Sequence, residues 1–162
     1  MPDFARVSGV DHIDTFVARS NLAYWTRTTG GAAKALDLYE ALRDETRVLG
    51  PDHPNTLATC SNIASLLGVT GRTADALARS EALLLDQTRI LGPDHPNTLV
   101  TRVNIANRIW QTGRLADALA RSEALLPDLV RVFGADHPNV VGTRQQIDEW
   151  RRVVDGERKI DP

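Results

Sequence analysis

Four histidines recur along the chain at nearly constant spacing, and imidazole is both a common metal ligand and an acid–base group near neutral pH. They are His12, His53, His95 and His137, which lie 41, 42 and 42 residues apart. With one histidine in each copy of a helical repeat, neighbouring imidazoles stand ~10 Å or more apart, whereas the ligands of one zinc ion each lie ~2 Å from the metal. We therefore predict no metal and no cofactor. We interpret each histidine as a connector residue that satisfies loop backbone groups and caps the next helix.

The other candidates for chemistry also favour structural interpretations. Cys60 shares the apolar side of its helix with Ile63 and Leu67, whereas a nucleophilic thiolate needs exposure and a basic neighbour. The glycine-rich stretch "TTGGAAKAL" around Lys34 lacks the spacing of a phosphate-binding loop, so it is interpreted as a hairpin turn. The sequence contains no visible catalytic triad or acid–base pair, and we predict that the chain is not an enzyme.

Composition argues against two classes of partner. The chain has 19 basic and 21 acidic residues and a net charge of -2, without the clustered basic surplus that nucleic-acid binding requires. No apolar run approaches the ~20 residues of a membrane span, and the first residues, "MPDFARVSG", lack the order of a signal peptide. A single cysteine suits a reducing compartment, so we predict a cytoplasmic protein. The excess of arginine over the two lysines, Lys34 and Lys159, is typical of a GC-rich bacterial genome.

The histidines belong to a longer repeated motif. The nonapeptide "LGPDHPNTL" occurs at 49–57 and again at 91–99, an altered copy "FGADHPNVV" begins at Phe133, and "SGVDHIDTF" begins at Ser8. Four copies at a fixed period indicate an array of structural repeats. We predict a single domain with repeats at about 12–52, 53–94 and 95–136. The first repeat is one residue shorter, and the missing residue falls after Glu40 in its second half.

Each repeat has the pattern of two helices. In the second repeat the first helix is indicated by apolar residues at helical spacing, namely Leu57, Cys60, Ile63, Ala64 and Leu67. Pro54 suits the first turn of this helix. Thr73 then suits the N-cap of a second helix that runs from about Ala74 to Leu91, where Gly92 and Pro93 end it. No strand pattern competes, so the predicted fold class is all-α.

These features resemble the tetratricopeptide repeat, in the 42-residue variety found in kinesin light chains and in many bacterial signalling proteins. The resemblance covers Arg6 to about Val154. It rests on the "LGPDHPNT" connector and on small residues at fixed positions: Ala64 and Ala106 in first helices, Gly71 and Gly113 at the turns, Ala76 and Ala118 in second helices. It implies a right-handed α-solenoid of three helical hairpins and a C-terminal capping helix.

The fourth unit has the pattern of such a cap, at about 138–154. It carries Asp148 where the earlier repeats have Ala64 and Ala106, and Arg151 where they have Leu67 and Ile109. Polar residues at those positions cannot pack a further helix, so we expect this helix to present a solvated outer face. We predict that the tail at 155–162 is flexible.

Successive residues rotate by about 100° on a helix, so one side of each first helix can be traced beside its core stripe. In the right-handed solenoid these sides are expected to form one concave wall that binds a peptide. Its predicted residues are Val17, Ser20, Asn21, Tyr24 and Arg27; Ser61, Asn62 and Ser65; Val103, Asn104, Asn107 and Trp110; and Gln145, Gln146, Glu149 and Arg152.

Two features of this wall suit a peptide. The recurrent amides of Asn21, Asn62 and Asn104 offer a donor and an acceptor at each step of an extended backbone. Alternatively, each amide ties its helix to a neighbouring loop. Tyr24 and Trp110 are the better anchors, because aromatic residues dominate binding hot spots. Trp25 and Trp150 are expected to point elsewhere, as packing or end-face residues.

We therefore predict a non-catalytic protein–protein interaction module that binds a peptide or partner-protein segment. One alternative is a structural role, in which an unfinished N-terminal face with Phe4, Phe16 and Trp25 nearby associates with itself or docks on a larger sensor protein. Another is that the chain is an excised repeat arm of a signalling ATPase.

Overall fold

The computed structural model describes residues 13–157, except for the side chains of 13–15, 45, 47, 48 and 157. This part of the chain contains seven α-helices and no β-strand. The helices are α1 (Ile13–Thr28), α2 (Ala32–Leu49), α3 (Pro54–Val69), α4 (Thr73–Leu91), α5 (Pro96–Gln111), α6 (Leu115–Phe133) and α7 (Pro138–Glu157). The predicted all-α class is confirmed. None of the described helices combines the length and apolarity that a bilayer span needs.

Short turns join the helices into hairpins, α1 with α2, α3 with α4 and α5 with α6. The turns depend on glycine, because the backbone there enters the left-handed region that other residues rarely adopt. Gly71, between α3 and α4, has φ 82°, and Gly92, which follows α4, has φ 92°. The residue missing from the first repeat corresponds to a shorter second helix, since α2 has 18 residues whereas α4 and α6 have 19 each.

The connector histidines are helix caps. The imidazole Nδ1 of His53 accepts a hydrogen bond from the backbone N–H of Asn55 (3.1 Å), and His95 does the same for Asn97 (3.2 Å). His137 repeats the arrangement in front of α7. Each bond satisfies one of the backbone donors that a helix start leaves unpaired. The predicted capping role is confirmed for these three residues, and His12 lies outside the described residues.

The first of two compact units extends to Arg79. Its core contains Ala23 of α1, Tyr39 and Leu42 of α2, and Ile63 and Leu66 of α3. Small residues occupy matching positions in the two helices of each hairpin, Ala23 with Ala35 and Ala64 with Ala76, and all four are buried. Phe16 is also buried in this core, so its expected place near an exposed N-terminal face is wrong. Phe16 shares its repeat position with Leu57 and therefore packs inward; Phe4 lies outside the described residues.

The second unit begins at Ser80, within α4. Its core includes Leu99, Leu125, Leu129 and Val140, from α5, α6 and α7. Outside the core, Asp128 forms ion pairs with Arg131 (3.1 Å) and Arg102 (3.2 Å). Hydrogen bonds from these two guanidinium groups hold the pKa of Asp128 below its ordinary value.

Helix α7 ends the second unit with a polar outer face. Asp148 and Arg151 are exposed, and the guanidinium of Arg151 donates to the carboxylate of Glu123 on α6 at 2.6 Å. This ion pair occupies a position where the earlier repeats place an apolar residue. The helix continues through residues 155–157, which the sequence assigned to a flexible tail, and the buried Val154 anchors this last turn.

We predict that Ala64→Leu lowers the free energy of unfolding by about 1–3 kcal/mol, because the added atoms must fit between two closely packed helices. Ala58→Leu is the matched control, since Ala58 is exposed on the same helix. Urea unfolding followed by far-UV circular dichroism measures both variants. Equal stability of the two variants would contradict the packing assigned to Ala64.

Removal of the α5 cap in His95→Ala leaves the N–H of Asn97 without its acceptor. We expect the free energy of unfolding to fall by about 0.5–2 kcal/mol. His95→Asn supplies an alternative side-chain acceptor and should recover most of the loss. Urea unfolding again gives the comparison, and a His95→Ala variant as stable as the parent chain would refute the capping role.

Candidate functional site

In the first unit, the predicted face of α1 is open to solvent. Val17, Asn21, Tyr24 and Arg27 are exposed, and Ser20 is half-buried. The guanidinium of Arg27 lies over the Tyr24 ring, 5.4 Å from its centroid. Tyr24 therefore remains available to a partner, as an anchor residue must be.

Trp25 neighbours this face without packing into the core. Its ring meets Tyr24 edge-on, with centroids 5.6 Å apart, and the residue is 64% exposed. Trp25 is therefore not a packing residue, and its place on an end face stays a prediction. On α3, the predicted residues Ser61, Asn62 and Ser65 are all half-buried.

In the second unit, part of the predicted set surrounds a cavity of about 230 Å³. The structure brings together four predicted residues from α5 and α7, namely Asn104, Asn107, Trp110 and Gln146. The cavity also has three lining residues that were not in the predicted set: Arg108, Gln111 and Trp150. Val103, Gln145, Glu149 and Arg152 do not line it; the last three are exposed on α7, and Val103 is half-buried on α5.

Two stacked indoles form the apolar side of this cavity. The rings of Trp110 and Trp150 are nearly parallel, with an interplanar angle of 2° and centroids 4.4 Å apart. Trp150 is 5% exposed, so it is a packing residue, as expected. It nevertheless lines the same cavity as Trp110, which corrects the expectation that it points elsewhere. The stack joins α5 to α7 and holds Trp110 in place.

One residue of the cavity lining, Asn107, has unmet hydrogen-bonding capacity. The side-chain oxygen Oδ1 of Asn107 is buried and accepts no hydrogen bond from any described residue. Such an atom has lost its water without gaining a donor, which costs about 1–3 kcal/mol. Among the described residues, the buried side-chain atoms in this condition are Asn107 Oδ1 and Thr98 Oγ1.

Arg108 places a positive charge at the cavity. Its guanidinium donates to the Oε1 atom of Gln111 at 3.1 Å, and burial lowers its pKa below the ordinary arginine value. No carboxylate belongs to the cavity lining. By contrast, Arg102, Arg131 and Arg151 in the same unit each pair with an aspartate or glutamate. The cavity lining therefore contains a cation with a neutral partner and an asparagine whose buried oxygen has no donor.

The sequence contained a signal for two of the three cavity-lining residues that were not in the predicted set. Arg108 follows Asn104 by four positions, and Gln111 follows Asn107 by four, so both lie on the helix stripe that carries the amides. The predicted face was centred instead on Val103, Asn107 and Trp110. A rotation of the traced face by one residue would have included Arg108 and Gln111.

The recurrent asparagines differ between the repeats. Asn21 is exposed, whereas Asn62 and Asn104 are half-buried. Within residues 13–157 none of these three amides is tied to a neighbouring loop by a hydrogen bond, so the alternative structural role has no support there. The described residues also contain no group of three or more His, Cys, Asp and Glu side chains arranged to hold a metal.

Solved structures with a similar fold contain tetratricopeptide-like repeats. One is a Podosopora anserina protein described as a kinesin light chain with nearly identical TPR-like repeats. Its TM-score is 0.75 at 19% sequence identity, and the match covers 86% of this chain and 66% of that chain. Another is BtubC (BKLC) from P. vanneervenii: TM-score 0.70, 20% identity, with 83% of this chain and 54% of that one covered. This chain thus spans about two thirds or less of each. No protein of curated function matches it in sequence.

Family models give the same result from the sequence. Two models, both described as Tetratricopeptide repeat, match residues 15–55 and 56–127. These matches include the first two hairpins, α5 and the first part of α6. Together with the all-α hairpin architecture and the similar solved folds, they establish that the chain belongs to the tetratricopeptide repeat family, with a fold like that of kinesin light chain repeats.

Proposed function

We propose that this chain is a non-catalytic interaction module that binds a peptide or a segment of a partner protein on the first helices of its hairpins. Tetratricopeptide repeats generally mediate protein–protein interaction, and membership of that family is the starting point. The observation that carries the finer proposal is the cavity beside α5, where an acceptor without a donor, a desolvated cation and an aromatic stack lie together.

An extended peptide has the groups that this cavity lacks. A rotation of the Asn107 side chain toward the cavity would let its amide oxygen accept from a backbone N–H of the peptide, and a carboxylate from an Asp or Glu side chain can accept from the Arg108 guanidinium. The apolar part of the segment can pack on the Trp110 ring. We therefore propose that the segment is acidic where it meets α5.

The dimensions favour a peptide over a metabolite. A volume of about 230 Å³ is below the ~300–1,000 Å³ typical of sites that enclose drug-sized ligands. It suits one side chain with its flanking peptide groups. The other predicted wall residues, among them Tyr24 and Asn62, would then meet further parts of a longer segment.

A binding role is also better supported than catalysis. The lining consists of asparagine, glutamine, arginine and tryptophan, with no serine, cysteine, histidine or carboxylate to act as nucleophile or general base. The net charge of -2 favours a protein partner over nucleic acid. We propose a cytoplasmic location, which the single cysteine suits.

A second candidate function is self-association or docking through the N-terminal face of α1. The specific observation in its favour is that Leu22 and Trp25 are exposed there, 55% and 64% respectively.

The peptide proposal is tested by titrating arrays of acidic, neutral and basic peptides and following tryptophan fluorescence. We expect acidic peptides to bind, and Arg108→Gln to weaken that binding about tenfold or more, since hydrogen bonds to charged groups contribute about 1.5–3 kcal/mol. Arg144→Gln is the matched control, because Arg144 is exposed on α7 and does not line the cavity.

Asn107→Leu is a sharper test, because it is expected to preserve or raise the stability of the free protein while it lowers the affinity for the peptide. Replacing an unpaired buried oxygen by an apolar group should leave the free protein as stable as before, or more stable. Peptide affinity should nevertheless fall, because the acceptor for the peptide N–H is gone. Urea unfolding and peptide titration of the same sample measure both effects. Failure of every peptide to bind, or binding that neither Asn107→Leu nor Arg108→Gln weakens, would refute the cavity as the site.

A further inference from the structure

Arg108 pairs with an amide at a helix spacing where a neighbouring arginine pairs with a carboxylate. Its guanidinium donates to the Oε1 atom of Gln111, three residues further along α5, at 3.1 Å. Arg114 also pairs with the residue three positions further on, and that residue is Asp117. Among the described residues, Arg108 is bonded to no aspartate or glutamate. The amide of Gln111 thus stands where a carboxylate would neutralise the Arg108 charge.

This polar pair is confined to α5. The other first helices have uncharged residues at both positions: Trp25, Leu66 and Trp150 match Arg108, and Thr28, Val69 and Val153 match Gln111. Leu66 is fully buried and Trp150 is 5% exposed, so Arg108 places a charge where two other repeats pack an apolar side chain. The guanidinium loses part of its water there, and this burial lowers its pKa.

The amide of Gln111 holds the guanidinium without cancelling its charge. A carboxylate of the same length would accept the same hydrogen bond and add a full negative charge beside the cation. The other five lining residues of the cavity are asparagine, glutamine and tryptophan, none of which is ionised. The residue at position 111 therefore decides whether the cavity lining is positively charged or neutral.

We propose that Gln111 determines the charge selectivity of this cavity, because it orients the Arg108 guanidinium and leaves the positive charge for an acidic group of the ligand. This inference rests on the peptide-binding function proposed above and assigns a role to one residue of that site. A guanidinium has five N–H donors, so the bond to Gln111 leaves donors for a ligand carboxylate. A neutral ligand gains less from the same donors, since hydrogen bonds between charged groups are the stronger ones.

Direct contact with the ligand is the other role that Gln111 can have. The residue is exposed and lines the cavity, so its side chain is within reach of a bound peptide. Two substitutions separate the roles. Gln111→Glu keeps the size and the hydrogen-bond acceptor and adds a negative charge, whereas Gln111→Ala removes the side chain and adds no charge.

The test compares acidic peptides with neutral copies of themselves. The probes are the acidic array peptides that bind, each beside a copy with glutamine for glutamate and asparagine for aspartate, with both peptide ends blocked. We expect the parent chain to bind the acidic member at least about tenfold more tightly. Gln111→Glu should remove most of this preference and leave affinity for the neutral copy unchanged, whereas Gln111→Ala should keep the preference.

Val69→Glu is the matched control for the added charge. Val69 is the last residue of α3, as Gln111 is of α5, so both variants place a carboxylate at the same end of a helix. Val69 is 68% exposed and does not line the cavity. We expect Val69→Glu to keep the preference of the parent chain for acidic peptides.

Urea unfolding tests the pairing without any ligand. The introduced carboxylate should pair with Arg108, so the urea midpoint should respond more favourably to Gln111→Glu in the parent chain than in Arg108→Gln. Far-UV circular dichroism verifies that each variant folds. Equal midpoint shifts in the two backgrounds would show that the introduced charge does not meet Arg108, and would overturn the inference.

The binding results distinguish this inference from the peptide proposal. Acidic peptides whose binding Arg108→Gln weakens, but Gln111→Glu does not, would overturn the role of Gln111 and leave the site in place. Loss of the acidic preference in Gln111→Ala as well would make Gln111 a direct contact and would also overturn its selectivity role. If no peptide binds the parent chain, the cavity is not the site and both proposals fail.

Discussion

The structure depends on one recurring contact, in which the second helix of a hairpin covers the apolar side of the next first helix. A single hairpin cannot bury its own apolar surface, so each repeat buries part of that surface by packing against its neighbour. In the first unit, Tyr39 and Leu42 of α2 supply that cover for Ile63 of α3. The outer face of α7 is polar instead, with Arg151 paired to Glu123.

Most of the fold was predictable from the sequence because its determinants are local and repeated. Helix periodicity, the prolines and glycines that mark helix ends, and the capping histidines all act within a few residues. Each repeat carries the same pattern, so the helix bounds predicted for one repeat support those of the others. The one-residue deletion after Glu40 appears as a shorter α2 for the same reason. Phe16 was misassigned because its neighbourhood was judged by proximity to the chain start. Its repeat position, which it shares with the buried Leu57, gives the right answer.

The candidate site was predictable only in part, since it depends on contacts between separate helices. Helical spacing identified Asn104, Asn107 and Trp110, but the stack of Trp110 on Trp150 joins residues 40 positions apart in sequence. No single-helix pattern reports such a pair. The orphaned oxygen of Asn107 is still less accessible to sequence reasoning, because it depends on the burial of one atom and on the absence of a donor nearby.

Among the described residues, two buried side-chain atoms have no hydrogen-bond partner, Thr98 Oγ1 and Asn107 Oδ1. Comparison with the equivalent positions of the other repeats suggests a different reason for each. Thr98 shares its position with Thr56, whose hydroxyl donates to the carbonyl of Gly50 at 2.7 Å. The corresponding carbonyl in the second connector is that of Gly92, so Thr98 has a matching acceptor within its own repeat. Asn107 shares its position with Ser65 and Tyr24, which offer no equivalent bond to restore. Asn107 lines a cavity together with Arg108, a cation with no carboxylate among the other lining residues. The free protein therefore carries an electrostatic cost at that point, and a ligand that brings both a donor and a negative charge is the simplest way to remove it.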